Sequence, residues 1–177
     1  MEPGPIHSRF MNLALARARA ALDAGEFPVA TLLVDDSGRV AAAGARERTA
    51  LGPAGELSHA EMNALARLEE TWGPVRPGSL TAYCTMEPCL MCLGALLIHG
   101  ITRVVYALED VMGGGTSVDL SSLPPLYRDS GLTVLPGVER EKSLLLFREF
   151  FLRPDNAYWK DSLLARHILE RRVKGEE

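Results

Sequence analysis

Apolar positions along the chain change their spacing several times, and each change marks an element. "SRFMNLALARARAALD" (8–23) is rich in strong helix formers, with Ser8 as a candidate cap and Gly25 as a stop, which predicts a helix. "FPVATLLVDDSGRVAAAGAR" reads as two strands joined by a tight Asp-Ser-Gly turn. "ERTALGPAGELS" is broken by glycine and proline and reads as a loop. Ser58, with Glu61 three residues on, has the pattern of a capping box opening a helix over "HAEMNALARLEETW".

After the break "GPVRPGS", the segment "LTAYCT" predicts a third strand. Pro88 suits the first turn of a helix carrying "CLMCLGALLIHG" and ending at Gly100. "TRVVYAL" and "LTVLPG" predict a fourth and a fifth strand. Between them lies a glycine-rich excursion, "EDVMGGGTSVDLSSLPPLYRDSG", with one short helical turn. "VEREKSLLLFREFF" and "AYWKDSLLARHILERRV" predict two closing helices. Helices alternating with strands after an opening hairpin imply an α/β fold: a three-layer sandwich, with a mixed five-stranded sheet flanked by helices. Residues 1–152 are expected to form one domain, with 153–177 as a helical arm packed upon it.

Composition adds limits. The chain has 177 residues, 47% hydrophobic and 24% charged, as expected of a globular protein with one sizeable core. Its longest apolar run, "CLMCLGALLI", is about half the ~20 residues a membrane helix needs, so no membrane partner is expected. With no signal core at the amino terminus and three cysteines, the expected setting is a reducing cytoplasm, where thiolates bind metal or do chemistry. A net charge of −4 gives no general pull toward nucleic acid.

Candidate chemistry gathers in two short motifs. On one helix Cys89 and Cys92 are three apart, so their sulfurs share a face near the positive end of the helix dipole. With His59 they form a ligand set that zinc prefers, and three protein ligands leave one tetrahedral corner open, the mark of a catalytic site. Glu61 stands two residues from His59, suited to general acid/base work at that corner. The plainer readings are two small core cysteines, a redox pair, and a capping carboxylate. Cys84 is either a fourth ligand, which would close the site, or a buried residue packed beneath it. His7, His99 and His167 read as surface or helix-end residues. Gly113–Gly115 reads as a flexible turn, and Tyr158 and Trp159 either pin the last helix or lid a pocket.

"HAE" followed by "PCLMC" is the H-x-E…P-C-x-x-C signature of zinc nucleobase deaminases. With "FPVATLLVDDSGRV", "LTAYCTMEPCLMCLGALLIHGITRVVYALED" and "GGGTS" in order and spacing, residues 6–152 resemble the cytidine deaminase-like superfamily. Histidine as first ligand resembles the branch of tRNA adenosine deaminases, guanine deaminases and deoxycytidylate deaminases. The resemblance implies one zinc per subunit on His59, Cys89 and Cys92, Glu61 as proton shuttle, a substrate contact from the Ala60 or Cys89 backbone N–H, and a homodimer. It also implies hydrolytic loss of ammonia from a ring carbon. Members acting on purines carry an asparagine after the second strand. Here "AAGARERTALG" has none, and Arg46 and Arg48 stand nearby as candidate contacts to a carboxylate, phosphate or carbonyl. The expected substrate is a small amino-substituted purine, guanine- or adenosine-like. The alternative is a tRNA wobble adenosine, followed by a cytidine-type substrate or a non-catalytic module stabilised by zinc.

Overall fold

A computed structural model describes residues 4–171, and the part of the predicted arm beyond them lies outside the described residues. Helix α1 spans Pro5–Asp23, strand β1 Ala30–Asp35, β2 Val40–Ala45, helix α2 Ala60–Thr71 and β3 Leu80–Met86. Helix α3 spans Leu90–Ile98, β4 Arg103–Leu108, the one-turn α4 Pro125–Arg128, β5 Thr133–Leu135, α5 Arg140–Leu152 and α6 Leu163–Glu170. The sheet order is β2-β1-β3-β4-β5. β1 pairs antiparallel with both β2 and β3, whereas β3-β4 and β4-β5 are parallel, so the sheet is mixed.

Both faces of the sheet are covered, which is why β1 is buried nearly end to end instead of alternating. Leu32 and Val34 face one core with Phe10, Leu22, Phe147 and Phe150 from α1 and α5. Leu33 faces the other, with Leu65 and Leu68 of α2 and Leu93 and Leu96 of α3. Leu164, Ala165 and Ile168 bury α6 against the first core. Among the described residues no helix is long and apolar enough to cross a membrane.

Several boundaries depart from expectation. α1 begins at Pro5 with Gly4 as its cap, not at Ser8. The loop before α2 holds a 3-10 turn over Thr49–Gly55, and the glycine-rich excursion holds two short turns, Leu120–Ser122 and α4. The last helix starts at Leu163, capped by the Ser162 hydroxyl accepting from the Ala165 amide, so Tyr158 and Trp159 sit in a turn before it.

The capping box is also displaced. The Ser58 amide donates to the Gly55 carbonyl, His59 is the cap residue of α2, and its side chain makes no capping bond. Ser58 instead shares Asn63 with the end of β2, the Asn63 side-chain Nδ2 donating to the Ala45 carbonyl at 2.8 Å. The reason is packing: β2 crosses the start of α2 so closely that a Cβ on Gly44 would stand 2.1 Å from the Ala60 carbonyl. Only glycine fits there, and the helix start is set by the strand beneath it.

Candidate metal centre and its pocket

Two helices begin at the same edge of the sheet, and each offers a ligand at its cap. His59 caps α2 and Cys89 caps α3, both extended and neither making a side-chain capping bond, while Cys92 lies on the first turn of α3. The amide groups at helix starts lack intrahelical partners, and the dipole there favours negative sulfur. The neighbouring strand ends are the carboxyl ends of the parallel β3 and β4, the place where open α/β sheets bind ligands.

The ligand atoms of His59, Cys89 and Cys92 all lie within 4.8 Å of one another. His59 Nδ1 is 3.6 Å from Cys89 Sγ and 3.4 Å from Cys92 Sγ. A tetrahedral zinc with bonds of about 2.3 Å to sulfur and about 2.0–2.1 Å to nitrogen spans an N···S edge of about 3.6 Å. The residues therefore fit zinc. A hydrogen bond from Cys92 holds the Cys89 thiol down at about 4, with His59 adding to the effect. The same bond pushes Cys92 up, reinforced by burial and the Glu61 charge. Hydrogen bonding to Cys89 raises His59.

Glu61 is 3% exposed, in the first turn of α2, and its charge reaches both Cys92 and Cys84. It lines the pocket beside His59 and Cys89, with the side chains of Cys84 and Cys92 within its reach. Cys84 is fully buried in β3, and burial first, then Glu61, pushes its thiol up. It stands outside the ligand group found among the described residues. Zinc held by His59, Cys89 and Cys92 would supply a Lewis acid able to lower the pKa of a bound water.

Above the metal group lies a pocket lined by Arg46, Ala60, Glu61 and Glu87, closed on one side by Tyr158 and Trp159. Its free space is about 50 Å³, close to the room of one or two waters. Of the two arginines singled out from sequence, Arg46 is inside, 3% exposed. Arg48 is exposed, with a left-handed backbone (φ 67°) and its amide on Glu26, and it is not among the pocket's lining residues. His7, His99 and His167 each pair elsewhere, with Tyr83, Glu69 and Glu109.

Sequence reasoning passed over two carboxylates. Glu87, next to the Pro-Cys motif, accepts from the Asp110 and Thr116 amides and the Thr116 hydroxyl, at 3.1, 3.1 and 2.5 Å. It thereby folds the glycine run onto α3, where the Gly115 amide donates to the Pro88 carbonyl at 2.8 Å. A Cβ on Gly115 would lie 2.8 Å from the Leu90 nitrogen, so the run is a close-packed seat and not a free turn. Glu56 accepts from Arg46 Nη2 at 3.3 Å and from the Tyr158 hydroxyl at 3.1 Å, and stands 3.8 Å from His59 Nε2. No motif marks Glu56; its position follows from the 3-10 turn before it.

Residues 5–108 match the model of the cytidine and deoxycytidylate deaminase zinc-binding region. The chain is 32% identical over 150 residues to the tRNA-specific adenosine deaminase of Agrobacterium fabrum, covering 81% of this chain and 93% of that one. A solved tRNA:A34 deaminase, studied for A-to-I editing at the wobble position, is 30% identical with a TM-score of 0.61, covering 78% of this chain and 98% of that one. A guanine deaminase from Nitrosomonas europaea shares the fold at 23% identity and a TM-score of 0.66, over 83% of this chain and 84% of its own. With the ligand triad, the adjoining carboxylate and the sheet all in place, the chain belongs to the cytidine and deoxycytidylate deaminase family of zinc-dependent hydrolytic deaminases.

Proposed function

We propose that this deaminase acts on a small amino-substituted purine, free or as its nucleoside, exchanging the ring amino group for oxygen with release of ammonia. Within one fold, substrate choice resides in the groups that line the site. The observation that carries the reading is the wall: the Tyr158 hydroxyl donates to Glu56 and accepts from Arg46, and Tyr158 stacks on Trp159 with centroids 5.1 Å apart. A ring enters when these two side chains swing outward, and is enclosed when they return. Outside them lies a cleft of about 800 Å³ that shares Tyr158 and Trp159 with the inner pocket and is lined by Glu56 as well, room enough for an attached sugar. Inside, Glu61 takes a proton from the attacking water and delivers it to the departing nitrogen. The Ala60 amide, without an intrahelical partner at the start of α2, is the proposed donor to the ring near its reacting carbon.

A second reading is adenosine in the wobble position of a tRNA. It is favoured by the names of the relatives, the A. fabrum protein and the wobble-editing structure, more directly than the small purine is. The pocket wall and the net charge of −4 favour the small purine. Ammonia release from a panel of purine bases and nucleosides, set against an anticodon stem-loop and against Glu61→Ala, separates the two. Turnover of the stem-loop alone would reverse the order. A homodimer is proposed with either reading, since α3 leaves Leu90 and Ile98 each 61% exposed; sedimentation at several concentrations checks it.

A further inference from the structure

Arg46 follows β2 at the pocket edge, and its amide donates to the Val29 carbonyl at 2.8 Å, so the backbone places it firmly. Its guanidinium is buried but poorly partnered. Nη2 reaches Glu56 Oε1 and the Tyr158 hydroxyl at 3.3 Å each, Nη1 reaches the Glu56 carbonyl at 3.5 Å, and Nε has no hydrogen-bond partner among the described residues. These bonds lie at the long end of the useful range, and a guanidinium has five N–H groups to satisfy. Buried donors left in this state point to a ligand that completes them.

The charge of the pocket narrows that ligand. Glu61, Glu87 and Asp110 line it, Glu56 faces Arg46, and Arg46 is the one arginine or lysine among the described lining residues. A phosphate or carboxylate would meet several carboxylates for one guanidinium. A neutral ring with an acceptor edge avoids that repulsion. Arginine only donates, and its two parallel N–H groups match a carbonyl oxygen beside a ring nitrogen, the O6/N7 edge of guanine. The matching edge of adenine alternates donor with acceptor and suits asparagine or glutamine instead.

We infer that Arg46 is a specificity-determining residue that selects a neutral amino-oxo purine of the guanine type over an adenine-type ring. The inference rests on the small-purine reading above. Glu56 and Tyr158 hold the guanidinium in the closed form, and the substrate's carbonyl and ring nitrogen take their place.

The test measures ammonia release by the zinc-loaded protein from guanine and from adenine, for wild type, Arg46→Gln and Arg46→Lys. One bidentate contact is worth about 5- to 150-fold in discrimination, so wild-type kcat/KM should favour guanine by a factor in that range. Arg46→Gln, which both donates and accepts, should bring the ratio to about one or below. Arg46→Lys, with charge but no fork, should retain part of the preference. Circular dichroism and zinc content per chain show that each variant is folded and loaded. A wild-type ratio at or below one overturns the inference without recourse to any variant, as does an unchanged ratio in folded Arg46→Gln. Turnover of an anticodon stem-loop with neither base turned over overturns the small-purine reading and this inference together. Turnover of both bases in an Arg46-independent ratio removes the inference alone.

Discussion

At the bottom of the pocket, His59, Glu61, Cys89 and Cys92 all lie within the first turn or cap of α2 or α3, on backbone packed against the sheet. At its mouth, Tyr158 and Trp159 sit in a turn between α5 and α6, tied locally by the Ser162 amide on the Trp159 carbonyl and otherwise held by side-chain contacts to distant parts of the chain. Phe27 receives both rings edge-on, with centroids at 5.4 and 6.1 Å, and the Tyr158 hydroxyl bonds reach 102 and 112 residues back along the chain. Trp159 carries the strain of this arrangement in a left-handed backbone (φ 51°). The floor is thus fixed by local geometry, whereas the wall depends on a few long-range contacts. On the function proposed above the difference separates duties: the floor would perform the deamination, and the wall would decide what reaches it.

The sharpest way to break that division is at the floor. Glu61→Gln keeps the size of the side chain and removes its proton chemistry. Deamination should fall by about 10²- to 10⁴-fold in kcat, while zinc content and thermal stability stay near wild type. A variant that kept most of its rate would move proton transfer to another group, and the separation of floor from wall would fail.

The same division explains what could be read from sequence. The His-x-Glu and Pro-Cys-x-x-Cys spacings survive because each spans a single helical turn, and one turn determines which side chains share a face. The Asp-Ser-Gly turn is equally local: Asp35 Oδ1 accepts from the Ser37 and Arg39 amides, both at 2.9 Å. Ser58 failed as a cap although its local pattern was right. The contact of Gly44 with Ala60 moved the helix start by one residue, a tertiary effect that no short pattern carries. Arg46 was visible as a charged residue after a strand, but its burial and its link to Tyr158 exist only once the ends of the chain meet. Glu56 had no signal at all, being one acid in a glycine-broken loop.

The wall offers a gentler test. Tyr158→Phe keeps the aromatic stack and deletes the hydroxyl bonds to Glu56 and Arg46. A hydrogen bond is worth about 1 kcal/mol net, so with two lost the turn should open about 5- to 30-fold more often. Hydrogen exchange of the amides in residues 157–161 should speed up by a factor in that range, with zinc content unchanged. Equal exchange in wild type and variant would mean that stacking on Phe27 holds the wall without the hydroxyl.

The smallest effect lies where floor and wall share a support. Glu109, the neighbour of Asp110, accepts from Arg140 Nε at 2.7 Å and again from Nη2, and also faces His167 of α6 and Arg171 just beyond it. Burial alone would raise its carboxyl, but the Arg140 bonds prevail and hold it at about 2, against an ordinary 4.5. A group depressed in the folded state adds stability that is complete above its unfolded pKa and is lost as pH falls toward the folded one. The Glu109 contribution should therefore be whole above about pH 4.5 and fade toward pH 2. Glu109→Gln should cost under about 1 kcal/mol near neutrality, because the cluster is partly solvated. Between pH 4.5 and 2 the melting temperature of the variant should fall less steeply than that of wild type. Parallel acid limbs would show that Glu109 stays protonated or unpaired in solution, and that α6 is tethered by its apolar face alone.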